Sequence, residues 1–208
     1  MAVKSRPDIA ATQNMVLGLD ISLDDKENAE VHARDVLRRN RNAPLANYVM
    51  GSLAIRRGQY KEAESFLRKA ADAPQPNVLA LNDLAEVLRR TDRAPEAETY
   101  VRRALEKAPN FYILHETLAV VLLEQNKDLD AAEAEIRKAL ELFDFFHSVD
   151  SAALADRINL IAEDMGASPH ILLEVNVSGE KSKSGMKPEE VEPTVRHIME
   201  VCPRLTVE

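Results

Sequence analysis

The side chains that could do chemistry are few in this sequence and lie far apart. His147 follows two phenylalanines, which favours a buried structural histidine, since no partner for acid–base catalysis is visible beside it. Cys202 is the single cysteine, which excludes a multi-cysteine zinc site, and no basic neighbour is in place to activate its thiol. The other histidines show neither the spacing of metal ligands nor a HExxH motif. They are His32, His115, His170 and His197. With no P-loop, GxGxxG or GxSxG motif, the sequence predicts a chain that is not an enzyme and holds no metal.

Two adjacent arginines, Arg89 and Arg90, are candidates for binding an anionic group. Guanidinium groups form paired, charge-assisted hydrogen bonds with carboxylates. Both residues stand near the end of a segment with helical periodicity, so the alternative is that they only solvate a helix end. Whether the two arginines bind an anion or only solvate a helix end depends on the helices around them.

The composition is typical of a helix-rich globular chain. Of the 208 residues, 45% are hydrophobic, 30% are charged and only 4% are aromatic. The net charge of −8 argues against general nucleic-acid binding, which needs a basic face. The longest apolar run, residues 118–123, is too short to span a membrane, and the N-terminal residues contain no apolar signal-peptide core. We therefore expect a cytoplasmic protein.

An Ala-Glu pair recurs at a nearly constant interval through the first two thirds of the sequence. The pairs begin at Ala29, Ala63, Ala97 and Ala132, with spacings of 34, 34 and 35 residues. A fixed period with small residues at set places is typical of stacked helix pairs, because small side chains let helices approach closely. The small residues that precede the last three pairs are Gly51, Ala85 and Ala119. The predicted helices span residues 8–22, 26–40, 44–57, 60–72, 77–90, 95–107, 111–125 and 129–142.

Two stretches of this array carry a resemblance to a known family. Residues 58–63 (GQYKEA) resemble the inter-helix turn, and residues 104–109 (ALEKAP) the repeat end, of the tetratricopeptide repeat (TPR) family. The resemblance implies a mainly α-helical fold, an α-solenoid over residues 1–142. Its four motifs would lie at about 10–43, 44–77, 78–111 and 112–145. The first motif departs from the pattern, because Leu17 stands where a small residue is expected.

The leading helices of such an array line a concave groove that binds peptides or partner proteins. Helical phase predicts a groove that mixes apolar, polar and charged side chains. Its residues are Tyr48, Val49, Ser52, Arg56, Asn82, Asp83, Glu86, Arg89, Arg90, Glu116, Thr117 and Val120. The lysines with which some TPR proteins grip a C-terminal carboxylate are missing here. The sequence therefore predicts a non-enzymatic scaffold with a protein or peptide ligand, and neither nucleic acid nor a membrane as partner.

After residue 142 the pattern changes from helical repeats to alternating strands and helices. The order β-α-β-α-β predicts parallel strands joined by helical crossovers. We place a second domain at residues 143–208 on this change of pattern. Its candidate elements are a strand at 143–149, a helix that ends at Gly166, a strand at 171–177, a helix that begins at Pro188 and a strand at 205–207.

The second domain is similar to the middle of the pyridoxal-phosphate (PLP) homeostasis protein family, whose fold resembles the alanine racemase barrel. The resemblance covers residues 136–208 and implies an incomplete part of a TIM-barrel-like fold. In that family a lysine on the first barrel strand forms the aldimine with PLP, and no lysine here matches it. We therefore expect no cofactor to bind in the family's manner. The motifs that carry the resemblance are FHSVDS at 146–151, LEVNVSGE at 173–180, KSKSG at 181–185 and PRL at 203–205.

The alternative function is that of a PLP carrier. Its cofactor-binding residues would be Asn176 and Ser178, near the end of a strand, and Lys183, in the following loop. Each has a simpler interpretation, because strand-end polar groups also fill hydrogen bonds and a loop lysine is usually solvated.

The string at residues 136–142 reads both as the end of a helical repeat and as the start of the PLP-family segment. We therefore expect the chain to be either a fusion of two genes at this string or a truncated piece. The aromatic residues that follow, Phe143, Phe145 and Phe146, should fold back over the helix at 129–142. Otherwise they should drive self-association through exposed apolar ends.

Overall fold

The computed structural model of the chain describes Met15, Gly18, residues 25–177 and residues 185–208. Met15 and Gly18 are helical, and the rest of the helix predicted at 8–22 lies outside the described residues. The chain divides into two compact units, Met1–Val87 and Leu88–Glu208.

The first unit consists of antiparallel helix pairs that follow the predicted repeat. Helix α1 begins where the Asp25 carboxylate accepts a hydrogen bond from the Asn28 backbone N–H at 3.1 Å. Pro44 opens the next helix, at a position whose N–H would have no helical partner in any case. The helices are α1 (Lys26–Arg39), α2 (Pro44–Arg56), α3 (Tyr60–Ala71) and α4 (Val78–Arg89), the last of which ends just beyond the unit.

Small residues permit the close packing of α2 against α3, as the repeat predicts. A Cβ atom added at Gly51 would lie only 2.6 Å from the Cγ atom of Leu67, and Ala63 on α3 is fully buried. Leu67 is fully buried as well, so the space that a larger residue at position 51 would need is already filled.

The second unit continues the helices and ends in a small α/β segment. Its sheet is parallel, with strand order β1-β2-β3, so the predicted β-α-β-α-β topology is confirmed, whereas a barrel remains a prediction. The predicted helix ends agree with the structure to within two residues. The elements are α5 (Ala94–Leu105), α6 (Tyr112–Gln125), α7 (Leu129–Leu142), β1 (Phe145–Val149), α8 (Ala152–Met165), β2 (His170–Leu173), α9 (Pro188–Val201) and β3 (Thr206–Val207).

One hydrophobic core joins the last repeat helices to the α/β segment. Ile136 on α7, Phe146 on β1, Ile158 on α8 and Ile171 on β2 belong to the same buried cluster. The sequence boundary at residue 142 therefore falls inside the second compact unit, because α7 buries its apolar face against the segment that follows. As a border between two sequence families, that boundary stays a prediction.

The three phenylalanines after α7 have different environments. Phe146 is fully buried in the core, as expected of a residue that covers α7. Phe143 keeps 41% of its surface exposed and stacks on Tyr112 with ring centroids 4.3 Å apart. Phe145 stacks on His170 at 4.8 Å. Of the three, only Phe146 has become part of the core.

Among the described residues, no helix combines the length and the apolar character that crossing a bilayer requires.

Candidate partner-binding surfaces

In the first unit, predicted groove residues from α2 and α4 lie close enough to perturb one another's charge. Burial raises the pKa of Asp83 to about 7, Glu86 raises it further, and Arg56 opposes the shift. Burial also raises the pKa of Tyr48 to about 12, with a contribution from Asp83. The two helices thus bring a phenol, a carboxyl group and a guanidinium to one place, with an acid poised to titrate near neutral pH.

Asn82 adds an unsatisfied hydrogen-bond acceptor beside this carboxyl group. Its Oδ1 atom is buried and has no hydrogen-bond partner among the described residues. A buried carbonyl without a partner is costly. Ser52 is half-buried, whereas Val49 is 5% exposed and packs in the core of the first unit, which removes it from the predicted surface.

In the second unit, the two adjacent arginines bind carboxylates of their own chain. The Arg89 side chain is 2% exposed, and its Nη1 atom donates to Glu124 Oε1 at 2.5 Å. Its Nη2 atom lies 3.7 Å from Glu174 Oε2, and Arg90 Nη2 donates to Glu174 Oε1. The alternative that Arg89 only solvates a helix end is therefore wrong, because its guanidinium is buried and paired.

Backbone contacts after β2 hold Glu174 in this position. Its N–H donates to the Val149 carbonyl at 2.9 Å, and its carbonyl accepts from the Met186 N–H at 2.9 Å. Gly185 precedes Met186 with φ +101°, and a Cβ atom there would lie 2.9 Å from the Glu174 carbonyl oxygen. Only glycine fits this close approach without strain.

Glu116, another predicted groove residue, is also bound within the second unit. Its carboxyl oxygen Oε1 accepts from the His147 backbone N–H, and Oε2 lies 3.3 Å from His147 Nδ1. Burial raises the pKa of Glu116 to about 8, and burial lowers the pKa of His147, so both side chains are mainly neutral at pH 7. Thr117 donates to the Ile113 carbonyl at 2.9 Å, and Val120 is 7% exposed in the core.

Three of the predicted groove residues make structural contacts within the second unit. Arg89, Arg90 and Glu116 hold β1 and the residues after β2, so they anchor the α/β segment. His147 is structurally paired, with a partner 31 positions upstream, but its side chain is 38% exposed and not buried as predicted.

Of the residues predicted for PLP binding, the structure describes only Asn176. Its N–H donates to the Met186 carbonyl at 2.8 Å, beside the bridge between Val175 and Met186. Ser178 and Lys183 lie outside the described residues.

Sequence reasoning missed a third cluster, which lies on α8 and α9. His197 Nε2 is 2.6 Å from Asp156 Oδ1, and the same oxygen is 3.4 Å from Cys202 Sγ. Burial raises the pKa of the Cys202 thiol to about 11, and Asp156 raises it further, which is the opposite of an activated nucleophile. A short sequence motif could not reveal the cluster, because His197 and Cys202 lie 41 and 46 positions after Asp156.

Comparison with known proteins identifies part of the helical region. Tetratricopeptide repeat family models match residues 22–78 and residues 54–116. Residues 22–116 are tetratricopeptide repeats. The TPR resemblance read from residues 58–63 and 104–109 is thereby confirmed.

Solved structures of TPR type share the fold of this chain. The structure titled YrrB, "a TPR protein with an unusual peptide-binding site", aligns with a TM-score of 0.55 at 19% identity, over 87% of this chain and 82% of that one. MamA aligns with a TM-score of 0.58 at 13% identity, over 96% of this chain and 93% of that one. PilF of Pseudomonas aeruginosa aligns at 0.58 with 17% identity, over 95% and 77%. At such low identity these likenesses show the fold alone.

Curated proteins that match the chain are named pyridoxal phosphate homeostasis protein. The one from Bos taurus is 27% identical over 161 residues, which is 73% of this chain and 59% of that protein. The one from Haemophilus influenzae is 34% identical over 104 residues, 49% of this chain and 40% of that protein. The one from Helicobacter pylori strain J99 is 46% identical over 59 residues, 28% and 27% respectively. The chain thus spans less than two thirds of these relatives.

Proposed function

We propose that this chain is a non-enzymatic protein-interaction scaffold whose partner-binding surface lies on α2 and α4 of the first unit. The partner is an extended peptide segment that carries a basic side chain. Arg89, Arg90 and Glu116 contribute to the fold of the second unit instead, since each is engaged with the α/β segment.

The buried, unpartnered Oδ1 atom of Asn82 carries this proposal. A rotation of the partly exposed Asn82 side chain would let this oxygen accept a hydrogen bond from a peptide N–H, which would remove the cost of leaving it unsatisfied. Asp83 and Tyr48 lie on the same surface and suit a lysine or arginine of the ligand, because a carboxylate and an aromatic ring both attract a cation. The TPR fold supports this assignment, because stacked helix pairs present their leading helices as a concave binding surface.

A displayed peptide library selected against the full chain tests the proposal. Enriched peptides should contain a basic residue, and their dissociation constants can be measured by fluorescence anisotropy. Asn82→Ala should weaken binding about tenfold, which corresponds to about 1.4 kcal/mol for one lost hydrogen bond.

Asn110→Ala is the matched control, because Asn110 is exposed in the loop before α6 and belongs to the other unit. It should leave the affinity unchanged. Binding that is equal in wild type and Asn82→Ala, or a library from which no peptide is enriched, would refute the assignment.

A second candidate function, PLP binding, is favoured by the names of the curated relatives. What supports the scaffold instead is the contact just after β2, where the Glu174 carboxylate is engaged by Arg90 of the same chain. Titration with PLP followed by borohydride reduction separates the two functions. A carrier would be labelled stoichiometrically at one lysine, whereas the scaffold would show weak labelling spread over several surface lysines.

A further inference from the structure

Three side chains of the second unit that could act as metal ligands converge in one place. Asp156 on α8, His197 on α9 and Cys202 at the end of α9 place a carboxylate oxygen, an imidazole nitrogen and a sulfur within 4.8 Å of one another. They are the one group of three or more His, Cys, Asp and Glu donors that converge in this way in the described part of the chain.

We propose that Asp156, His197 and Cys202 form a binding site for a divalent transition-metal ion of the zinc class. Thiolate, imidazole and carboxylate are the three ligand types that zinc takes in proteins. With the thiol deprotonated, the set carries two negative charges and one neutral nitrogen donor, which balance a dication. The thiol proton passes to solvent when the metal binds.

The distances suit such an ion after a small adjustment. Zinc bonds of about 2.0–2.3 Å place neighbouring donors of a tetrahedral site roughly 3 to 4 Å apart. The 3.4 Å separation of Asp156 Oδ1 from Cys202 Sγ already falls in this range. The 2.6 Å separation from His197 Nε2 must widen by less than 1 Å, which the exposed Asp156 side chain can accommodate by rotation.

The residues next to the three donors are packed in the hydrophobic core. Ala155 and Ile158, which lie within two residues of Asp156 on α8, are fully buried, and Ile198, beside His197, is 1% exposed. Cys202 is itself 2% exposed, and its N–H donates to the Ile198 carbonyl at 2.9 Å. Donors fixed by a packed core lose little freedom on binding, which favours affinity.

The burial of the three residues also indicates how an ion enters. Asp156 is exposed and His197 is half-buried, so the approach is from solvent, with the sulfur at the bottom. Three protein ligands leave a fourth position for water, as in open zinc sites. Bound metal would join α8 to α9 and raise the thermal stability of the second unit.

Cobalt titration of the untagged, chelator-treated full chain tests the site. Since the chain has one cysteine, a thiolate-to-cobalt charge-transfer band reports on Cys202 without any substitution. We expect this band to saturate at one equivalent and to disappear when one equivalent of zinc is added. Absence of the band in the wild type overturns the proposal, and this outcome is separate from the peptide binding proposed above.

Substitutions then identify the other two ligands. His197→Gln and Asp156→Asn should each lower zinc affinity, measured by competition with a chromophoric chelator, by at least about tenfold. His170→Gln is the matched control, since its Nδ1 atom lies 2.7 Å from Glu208 Oε1 in a surface pair of the same kind. Affinity that falls equally in this control, or that is unchanged in His197→Gln, overturns the assignment.

Discussion

The carboxylate of Glu174 pairs with the guanidinium of Arg90 across 84 positions of sequence. Arg89 lies beside them with a buried side chain that also reaches Glu124. The sequence predicted that these arginines could hold a carboxylate, and the carboxylate that they hold belongs to the chain itself. This contact connects the end of α4 to the residues after β2, so the α/β segment is part of the same folded unit as the later repeat helices.

Replacing Glu174 should weaken the second unit. Glu174→Gln leaves a buried arginine with one carboxylate fewer, and we expect a loss of about 2 kcal/mol in the free energy of unfolding, measured in urea. Glu192→Gln is the control, because it removes an ion pair with Arg196 whose side chains are 83% and 67% exposed. That change should cost less than about 0.5 kcal/mol. Equal losses of unfolding free energy in the two variants would show that the Glu174 contact stabilises the chain no more than an exposed surface pair does.

Glu116 makes the stability of the second unit depend on pH. Its pKa is raised to about 8 in the folded chain, so the folded state binds a proton that the unfolded state has lost. Stability should therefore decrease as pH rises from 6.5 to 8, by up to about 1.4 kcal/mol per pH unit. The lowered pKa of His147 has its effect mainly below pH 6.5, outside this interval.

Glu116→Gln should remove this pH slope, since the amide keeps the shape but does not titrate. Glu141→Gln, on the exposed side of α7, should retain it. Urea midpoints of the wild type and both variants, measured at several pH values, test this prediction. A slope that persists in Glu116→Gln would assign the pH dependence to another group.

Gly51 should tolerate no side chain as long as Leu67 is present. Gly51→Ala places a methyl group 2.6 Å from Leu67 Cγ and should destabilise the first unit by about 1–3 kcal/mol. In a Leu67→Ala background the clash is absent, and the same change should stabilise α2 by up to about 1 kcal/mol through helix propensity. A double-mutant cycle without coupling would contradict the close helix contact.

Binding of a basic peptide should strengthen as pH rises. Burial holds the pKa of Asp83 at about 7, so the carboxylate that attracts a lysine or arginine forms only as pH passes that value. Affinity measured by anisotropy should therefore increase between pH 6 and pH 8. Asp83→Asn should be weaker at pH 8 and nearly independent of pH. An affinity that falls over this interval would point to an anionic ligand.

Local periodicity accounts for what the sequence could predict. The 34-residue recurrence of small residues predicted the bounds of the described repeat helices to within two residues, because the helix contact at Gly51 leaves no room for a larger residue. The alternation of apolar strands with helices after residue 142 likewise predicted the parallel order of the sheet. Both patterns depend on neighbours that are close in sequence.

Contacts between distant residues explain what the sequence could not provide. The partners of Arg90, Glu116 and His197 lie 84, 31 and 41 positions away. Glu116 is buried on α6 and Arg90 directly follows α4, but helical phase carries no information about which segment of the same chain covers either residue. The Asp156, His197 and Cys202 cluster was hidden for the same reason.

Hydrogen–deuterium exchange of the full chain with and without a selected peptide tests the central claim most directly. The proposed surface predicts added protection within residues 44–56 and 78–87, where Tyr48, Asn82 and Asp83 lie. It predicts unchanged exchange in residues 143–177, which the chain's own contacts already hold. Protection confined to the α/β segment, with no change at residues 78–87, would contradict the claim that the first unit binds the partner.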